Sequence, residues 1–547
     1  MNLSRRDLLK LGGAAVAAGA AGAAIDFVNP AAAAEAVKPK RGGIFRISGF
    51  DPQGFDPQLT LSYRTMTILS MTHSRLVKVK AGPSVQPGTT PLEPDLAESW
   101  SRPDDRTYVF KLRRGVRWHP KPPVNGRELT AEDVRYTYER FISLKGNQAR
   151  SLLDPVERIE ALDRYTVRFT LTEPFAWFLD VLSSTSMLII SKEAVEQYGD
   201  LRRAEACVGT GPWMLERHEP NVRVTLARNP NYFVPGLPNA DGVEITVDPD
   251  HATRFANFAA GKYDFGPEYN MVLRRLDLDV ARQRKPGLQT AEFILPNMNM
   301  TWMKLDQAPF SDVRVRRAMA LATNWRDLVA ANAWAHGHGV PNPAVPAAFR
   351  EWSIPLGDLP HEGRALYEQN IPEAKRLLTE AGYPNGFPTP VETTAGYGTD
   401  YMDGVQAMLA NWKAAGIESD LRLKEYGAFL STTLVGKFEK LAVGLFGSWT
   451  DPDSSLYRLY IPGQASNSGG VDDPKLTEMI RLQRRMFDVK RRREIIYDIQ
   501  RYLSRQVYYL YGPSFSVVVA WDAAVKNFAP NIGHDYGGRL MAAWLDR

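Results

Sequence analysis

Residues 108–118, YVFKLRRGVRW, hold the strand signal from which the fold class follows. Large apolar side chains occupy every second position at its start: Tyr108, Phe110 and Leu112. This alternation predicts a half-buried β-strand, and residues 165–171 repeat it. Between the two, residues 130–133 (Thr-Ala-Glu-Asp) match the capping box that opens a helix. Because strand and helix signals interleave, the sequence predicts mixed α/β domains.

Further local signals lie downstream. Pro372 stands near a predicted helix start, apolar residues follow at helical spacing through 374–381, and Gly382 ends the pattern. Ser311 is expected to cap another helix. Residues 209–212 (Gly-Thr-Gly-Pro) predict a tight turn at a point where backbone segments come close.

The first 36 residues are typical of an export signal. Arg5 and Arg6 precede an apolar run at 11–25, and residues 34–36 (Ala-Glu-Ala) offer a cleavage site. The run is short and rich in glycine, which favours a secretory signal over a membrane span. The paired arginines resemble a twin-arginine signal, with an ordinary signal for unfolded export as the alternative. We therefore predict a periplasmic protein whose fold begins after residue 36.

Composition limits the remaining possibilities. A chain of 547 residues is too long for one core and predicts about three domains. No later segment is long and apolar enough to span a membrane. The formal net charge of +5 is mild for this size and argues against a polyanionic partner. Cys207 is the only cysteine, so no internal disulfide forms, and we expect it to be a small buried residue.

Residues 481–493 form a basic cluster. Seven basic residues lie between 481 and 493, interrupted by apolar positions at helical spacing. We predict two amphipathic helices with a solvated basic face. A nucleic-acid patch is the alternative, but the modest net charge and the predicted export argue against it.

Motifs for common catalytic chemistry are absent. The sequence has no phosphate-binding loop, nucleophile elbow, zinc-protease motif or C-x-x-C pair. His336 and His338 could offer two imidazoles to a metal, but a solvent-facing loop pair is the expectation. No metal or cofactor is predicted. A secreted hydrolase with a carboxylate pair stays open as an alternative, because the separation of two carboxylates is a three-dimensional quantity.

Several sequence blocks together resemble one protein family, the large periplasmic substrate-binding proteins of peptide and nickel ABC importers. Their order and spacing match that family from about residue 41 to the C-terminus. The blocks are PDLAESW at 94–100, YVFKLRRGVRW at 108–118, LTAEDV at 129–134, VGTGPW at 208–213 with NPNY at 229–232, PFSDVRVRRA at 309–318 and AKRLLTEAGYP at 374–384.

The resemblance implies a three-lobed α/β fold of the type II periplasmic-binding-protein (Venus flytrap) kind with an extra insert domain. Lobe I would combine residues 41–70, 208–299 and 508–547. Lobe II, the insert, would be residues 71–207, and lobe III residues 300–507. The ligand would be enclosed between lobes I and III.

The resemblance also implies function. The chain would be a monomeric receptor, not an enzyme, that captures a small solute by hinge closure. It would deliver the solute to membrane permease and ATPase subunits on separate chains. A di- or oligopeptide is the leading ligand. A sugar, an opine or a nickel chelate is the alternative, and a nickel chelate would require His336 or His338 at the cleft.

Ligand contacts are implied residue by residue. The positions that match the family's pocket are Trp449, Tyr426, Tyr63, Tyr509 and Tyr511. Peptide receptors of the family place an aspartate after the pocket tryptophan, in a longer loop, to pair with the peptide ammonium. In this chain the loop is short, and Asp451 or Asp453 is the candidate for that role. Alternatively, Asp451 is the structural residue before Pro452, which leaves Asp453 or no residue for the amine. A buried ammonium without such a partner would be costly, so this departure puts peptide specificity in question.

Overall fold

The computed structural model of the chain describes residues 38–60, 62–332, 335–447, 451–531 and 533–547. The predicted export signal lies outside these residues. The strands, in chain order, are β1 (Ile44–Gly49), β2 (Val77–Val79), β3 (Leu92–Pro94), β4 (Ala97–Asp104), β5 (Thr107–Leu112), β6 (Val156–Asp163), β7 (Thr166–Leu171), β8 (Trp213–Glu219), β9 (Arg223–Arg228), β10 (Gly242–Val247), β11 (Val272–Leu273), β12 (Gln289–Ile294), β13 (Asn297–Met303), β14 (Gly339–Val340), β15 (Phe387–Thr394), β16 (Ile417–Lys424), β17 (Leu441–Gly447), β18 (Tyr509–Tyr511), β19 (Ser514–Trp521), β20 (Val525–Lys526) and β21 (Trp544–Leu545).

Helices are interleaved with these strands. In chain order they are α1 (Tyr63–Thr72), α2 (Ala131–Ser143), α3 (Phe178–Ser183), α4 (Lys192–Tyr198), α5 (His251–Ala259), α6 (Leu278–Arg284), α7 (Val313–Ala322), α8 (Trp325–Ala331), α9 (His361–Arg364), α10 (Ile371–Glu380), α11 (Thr399–Ala414), α12 (Tyr426–Ser431), α13 (Asp453–Tyr460), α14 (Pro474–Arg484), α15 (Val489–Gln506) and α16 (Tyr536–Leu540).

Four larger sheets organise the described residues. One has the order β1-β10-β9-β8, with β1 parallel to β10, and an antiparallel sheet in the insert has the order β4-β5-β7-β6. The largest has the order β16-β15-β17-β13-β18, and a fourth sheet has the order β11-β19-β12. Buried apolar side chains form separate clusters in the insert and on either side of the largest sheet. Each sheet therefore has a core to pack against.

The predicted lobe boundaries can be set beside these sheets. Strand β13 spans the predicted boundary at 299–300, and β18 lies just beyond the one at 507–508. Both pair within the largest sheet, where Met300 lies opposite Tyr511. The chain thus enters predicted lobe III along β13 and returns to predicted lobe I at β18, both within this sheet. The lobes remain predictions and are used below as names for the residue ranges given above.

The strand and helix predictions are confirmed where the structure describes them. Strand β5 pairs antiparallel with β7, with Phe110 opposite Val167, and both side chains are buried. At the start of α2, the Asp133 carboxylate accepts the Thr130 backbone N–H at 2.8 Å. Helix α10 begins beside Pro372, as expected.

Two local predictions are wrong. Asp312, not Ser311, caps α7, because its carboxylate accepts the Arg314 backbone N–H at 2.8 Å and also complements the positive end of the helix dipole. The basic segment does form two helices, α14 and α15, but it is not wholly solvated. Arg484 and Arg492 are buried, since each meets a buried carboxylate.

The predicted close backbone approach at Gly209 and Gly211 is confirmed. A Cβ atom at either position would overlap the backbone around Thr72, at the end of α1. Cys207 lies beside this contact and is buried, with its Sγ 3.6 Å from the Thr72 hydroxyl oxygen. Burial raises the pKa of the Cys207 thiol to about 11, which keeps it protonated and unreactive at neutral pH.

Candidate ligand cavity between the lobes

A cavity of about 220 Å³ lies where the three predicted lobes meet. Its aromatic lining comes from both sides of the cleft. Tyr63 and His534 belong to lobe I, whereas Tyr397, Tyr426 and Phe446 belong to lobe III. Lobe II contributes the polar side chains of Gln148, Thr185 and Ser186. A small solute enclosed here would contact all three lobes at once.

The lobe I wall is a stack of rings. Tyr63 is the first residue of α1, and its ring lies 4.1 Å from the His534 ring, at an interplanar angle of 29°. Tyr269 packs beside both rings, with its ring centroid 5.9 Å from that of Tyr63 and 5.9 Å from that of His534. Burial lowers the pKa of His534 to about 3, so this imidazole is neutral at physiological pH. The wall is therefore flat, aromatic and uncharged.

The lobe III wall is built at the ends of β-strands and the starts of helices. Tyr426 opens α12, which the Glu425 carboxylate caps by accepting the Ala428 N–H at 2.9 Å. The Tyr426 ring meets the Tyr397 ring edge-on, with 5.5 Å between the two ring centroids. The Arg64 guanidinium, from lobe I, lies 5.0 Å from the Tyr426 ring centroid. Arg64 thus links lobe I to the aromatic wall of lobe III through a cation–π contact.

Gly447, at the end of β17, lies close to the opposite wall of the cavity. A Cβ atom at Gly447 would overlap the hydroxyl of Tyr63. Only glycine therefore fits opposite Tyr63 with the lobes in this arrangement. Trp449, the predicted pocket tryptophan, follows two residues later and lies outside the described residues.

Arg458 brings a positive charge to the cavity. It lies on α13, is 6% exposed and lines the cavity beside Ser466. Its guanidinium donates to the Ser466 hydroxyl at 3.1 Å and lies 5.0 Å from the Phe446 ring centroid. Burial lowers the pKa of Arg458 to about 10, which still leaves it protonated at neutral pH.

The other polar groups of the cavity's described lining are uncharged. Among the residues that the structure describes, hydroxyls and amides supply the other polar groups of the cavity, and no aspartate or glutamate lines it. These uncharged groups are Gln53, Thr60, Gln148, Thr185, Ser186, Ser431 and Ser466. The cavity is aromatic, rich in hydrogen-bonding groups and positive.

Asp451 and Asp453 lie elsewhere. Both are buried, but neither lines the cavity. Asp451 accepts two hydrogen bonds from Arg492, at 2.8 and 2.5 Å, and its Oδ1 also accepts the Asp453 N–H. Asp453 meets Arg484 at 3.2 Å and the side-chain amide of Gln483. The geometry therefore runs against the predicted amine-binding role, because both carboxylates anchor the start of α13.

Tyr509 and Tyr511 also lie outside this cavity. They belong to β18 and line a second, smaller and mostly apolar space of about 100 Å³, most of whose other lining residues belong to lobe III. The Tyr509 hydroxyl donates to the Leu459 carbonyl at 3.2 Å, and that of Tyr511 hydrogen-bonds to Tyr460. Of the predicted contacts, the structure brings Tyr63 and Tyr426 to the cavity.

The candidate metal ligands are likewise remote. His336 and His338 are exposed, and neither lines the cavity. No group of three or more potential metal ligands occurs among the described residues. The described part of the chain also has no helix long and apolar enough to cross a bilayer.

With this geometry established, comparison with known proteins decides the family. Residues 91–467, more than half of the chain, match the family described as bacterial extracellular solute-binding proteins, family 5, middle region. The chain belongs to this family. Among its relatives, the dipeptide-binding protein of Escherichia coli (strain K12) is 27% identical over 436 residues, which cover 75% of this chain and 77% of the relative.

Solved structures that are similar to this chain have the same fold. The periplasmic binding protein DppA from Helicobacter pylori, in complex with the peptide STSA, superposes with a TM-score of 0.79 at 25% identity, covering 93% of this chain and 99% of that one. AgaA from A. tumefaciens R10, in complex with agropinic acid, gives a TM-score of 0.78 at 22% identity, covering 92% and 99%.

Three predictions are thereby confirmed. The chain has the α/β periplasmic-binding-protein fold, it is the substrate-binding component of an ABC transporter, and it is not an enzyme. The secreted-hydrolase alternative is set aside. The ligands named for these similar proteins are a peptide in one and agropinic acid in the other. The family alone therefore does not fix the ligand class.

Sequence reasoning missed Arg458, Tyr397 and His534. The signal for Arg458 was present, because it is a single basic residue in the apolar segment 456–460 (Leu-Tyr-Arg-Leu-Tyr). A buried arginine on an apolar helix face needs either a partner or a ligand. Tyr397 and His534 follow a strand and a loop without a distinguishing pattern, and only the fold brings them to the cleft.

Proposed function

We propose that the chain is the periplasmic receptor of an ABC importer and that it encloses a small, non-peptide polar solute between lobes I and III. One observation carries the choice of a non-peptide ligand: the described lining of the cavity holds no carboxylate. A peptide would bring its ammonium into this enclosed space, where an unpaired cation is strongly unfavourable. The nearby Arg458 would add a repulsion between like charges.

Closure of the lobes is the proposed mechanism. Contacts that cross the cleft include the Arg64 guanidinium against the Tyr426 ring and an ion pair between Arg274 of lobe I and Asp400 of lobe III. Opening the lobes would break both contacts and separate the aromatic walls. A solute that touches both walls binds the closed form better and so shifts the population toward it. The importer's permease and ATPase subunits, on separate chains, would then recognise the closed form.

A di- or tripeptide is the second candidate. The peptide-bound structure from Helicobacter pylori favours it, because that protein is similar to this chain over nearly its whole length. The tyrosine-lined walls would also suit peptide side chains. In that case the ammonium would have to find its partner outside the described lining.

The ligand class is tested by native mass spectrometry of gently purified mature protein, compared with its denatured mass. A single released non-peptide mass supports the proposal. A ladder of peptide masses contradicts it and favours the second candidate. If no mass is released, a thermal-shift panel of sugars, sugar acids, opines and peptides decides, and failure of every class would contradict the receptor function itself.

Export by the twin-arginine route is part of the proposal and is tested separately. Fusion of residues 1–40 to a reporter that is active only when exported folded should give periplasmic activity. Replacement of Arg5 and Arg6 by lysine should abolish that activity, because the route reads the arginine pair. Unchanged export of the lysine variant would favour the ordinary signal. Separately, the mature receptor is expected to elute as a monomer in size-exclusion chromatography.

A further inference from the structure

His534 is a cavity residue whose hydrogen-bonding state is fixed by its neighbours. It lines the cavity from lobe I, its ring stacks on Tyr63, and its Nδ1 is hydrogen-bonded to the Tyr269 hydroxyl. We infer that His534 is a fixed N–H donor to the ligand through Nε2, and that the ligand is a polyhydroxylated solute, either a sugar or a sugar acid. The inference rests on the proposed function and names the ligand class for the same cavity.

The Tyr269 hydroxyl decides which ring nitrogen of His534 carries the proton. Burial lowers the pKa of His534 to about 3, so the neutral ring has one N–H and one bare nitrogen. Burial also raises the pKa of Tyr269 well above its usual value, so the phenol keeps its hydrogen. If the phenol accepted a proton from Nδ1, its own hydrogen would have no acceptor in the described part of the chain. The phenol therefore donates to Nδ1, and the ring proton lies on Nε2.

The same contact indicates which edge of the ring faces the cavity. Tyr269 occupies the Nδ1 side of the His534 ring and does not line the cavity, whereas His534 itself does. The edge that is left for the cavity therefore includes Nε2. Within the residues that the structure describes, the Nε2 N–H has no acceptor, so it is left for a ligand. Such a donor pairs with a ligand oxygen, whereas an ammonium would bring only further N–H groups against it.

The His534 ring is also held in place before a ligand binds. The Tyr63 ring centroid lies 4.1 Å from that of His534, on one side, and the Tyr269 hydroxyl holds Nδ1. The next residue, Asp535, caps α16 by accepting the Gly538 N–H at 2.8 Å and forms an ion pair with the buried Arg75. The backbone beside His534 is thereby anchored. A donor that is already ordered contributes more to affinity than one that must be ordered on binding.

The remaining lining describes the body of the ligand. The side chains of Gln53, Gln148 and Thr185 line the cavity, and none of them is hydrogen-bonded to another described residue. Amides and hydroxyls offer both donors and acceptors, as alcohol groups do, so they suit a ligand with several hydroxyls. The Tyr63 and Tyr426 rings supply apolar faces on which the C–H groups of such a ligand pack. A sugar or a sugar acid meets both requirements and has oxygens to accept the Nε2 N–H.

The test uses the mature protein and three probes: glucose, gluconate and dialanine. Binding is measured by calorimetry for the unaltered protein, His534→Phe and Tyr269→Phe. The first variant keeps a ring that can stack on Tyr63 but removes the N–H. The control, His361→Phe, makes the same change at an exposed histidine outside the cavity. The position of the ring proton is read by NMR of protein with ¹⁵N-labelled histidine, in which the His534 signals are those missing from His534→Phe.

We expect glucose or gluconate to bind, and dialanine to bind about 30-fold more weakly or less, because its ammonium would be enclosed without a partner. Preference between the first two tells a sugar from a sugar acid. His534→Phe should weaken the bound probe by about tenfold or more, because an enclosed ligand oxygen loses its donor. His361→Phe should bind that probe normally.

The NMR spectrum of the unaltered protein should place the ring proton of His534 on Nε2. Tyr269 is a positioning residue, because it acts through His534. Tyr269→Phe should therefore move part of the ring protons to Nδ1 and weaken the bound probe by about threefold or more. A purely structural role of Tyr269 would leave the proton on Nε2.

Several results would overturn the inference. These are a ring proton on Nδ1 in the unaltered protein, undiminished probe binding by His534→Phe, dialanine binding as strong as that of glucose and gluconate, or no binding of either of those two. Receptor function stands in each case in which a probe binds or the purified protein releases a solute, so only the role of His534 or the ligand class fails. If no probe binds and no solute is released, the proposed function fails as well.

Discussion

Replacing Asp451 by asparagine tests whether this carboxylate serves the fold or the ligand. In the structure Asp451 and Arg492 are each 6% exposed and share two hydrogen bonds. The substitution keeps the shape but removes the carboxylate that is hydrogen-bonded to the buried Arg492 guanidinium, which then keeps only the more distant charges of Asp453 and Asp180. Breaking a buried pair in this way costs about 3–5 kcal/mol of unfolding free energy. If lobe III unfolds as a unit, this loss corresponds to a melting temperature lower by roughly 6–10 °C, at about 2 °C per kcal/mol.

The assay is thermal and urea unfolding of the mature protein, followed by tryptophan fluorescence. The matched control is Asp472→Asn, which removes the same charge from an exposed position of the same lobe and should shift the melting temperature by about 1 °C or less. A double variant, Asp451→Leu with Arg492→Met, should recover much of the lost stability, because it removes both charges together. Unchanged stability of Asp451→Asn, with loss of the bound ligand, would refute the structural role and return this residue to the site.

Two further perturbations have defined outcomes. Gly447→Ala should weaken ligand binding by at least tenfold in calorimetry, while the unbound protein melts normally. The reason is that the new Cβ meets the Tyr63 hydroxyl only when the lobes are closed. Unchanged affinity would contradict the proposed closure. Burial lowers the pKa of His251, but its hydrogen bonds to Asp277 and Glu268 outweigh burial and raise that pKa to about 9. His251 should therefore add folding stability that is fully present below pH 6.5 and is lost as the pH rises through about 9. The contribution is about 1–3 kcal/mol, and urea unfolding of His251→Gln should lack that part of the pH dependence; an identical profile would show that other groups cause it.

Much of the fold could be predicted from local pattern. The alternation at residues 108–112 gives a strand because one face of β5 is buried, and the capping box at 130–133 gives a helix start because its hydrogen bonds are local. Gly209 and Gly211 were read correctly as a close approach, although the partner, Thr72, could not be named. Such features depend on neighbours in sequence or on backbone sterics alone.

The site was harder to predict, because its members are brought together only by the fold. Tyr63 and His534 stack although they are far apart in the chain. The basic run at 481–493 predicts a solvated face, because nothing in the local sequence reveals the partners of two of its arginines. Arg484 pairs with Asp453, the first residue of α13, and Arg492 pairs with Asp451, two residues earlier. The same long-range pairing engages Asp451 and Asp453, neither of which lines the cavity, and their role toward a ligand stays a prediction.

The pairing of these two carboxylates has a physical consequence for the site. Asp451 and Asp453 lie at the start of α13, and each is paired with a buried arginine, Arg492 of α15 and Arg484 of α14. A carboxylate in such a pair would have to give up its partner before it could bind a ligand amine, and the arginine left behind would stay buried without its hydrogen-bonded carboxylate. The resemblance to peptide receptors implies an amine-binding acid in this stretch, but only the long-range contacts show what such a role would cost. The Asp451→Asn experiment measures that cost directly.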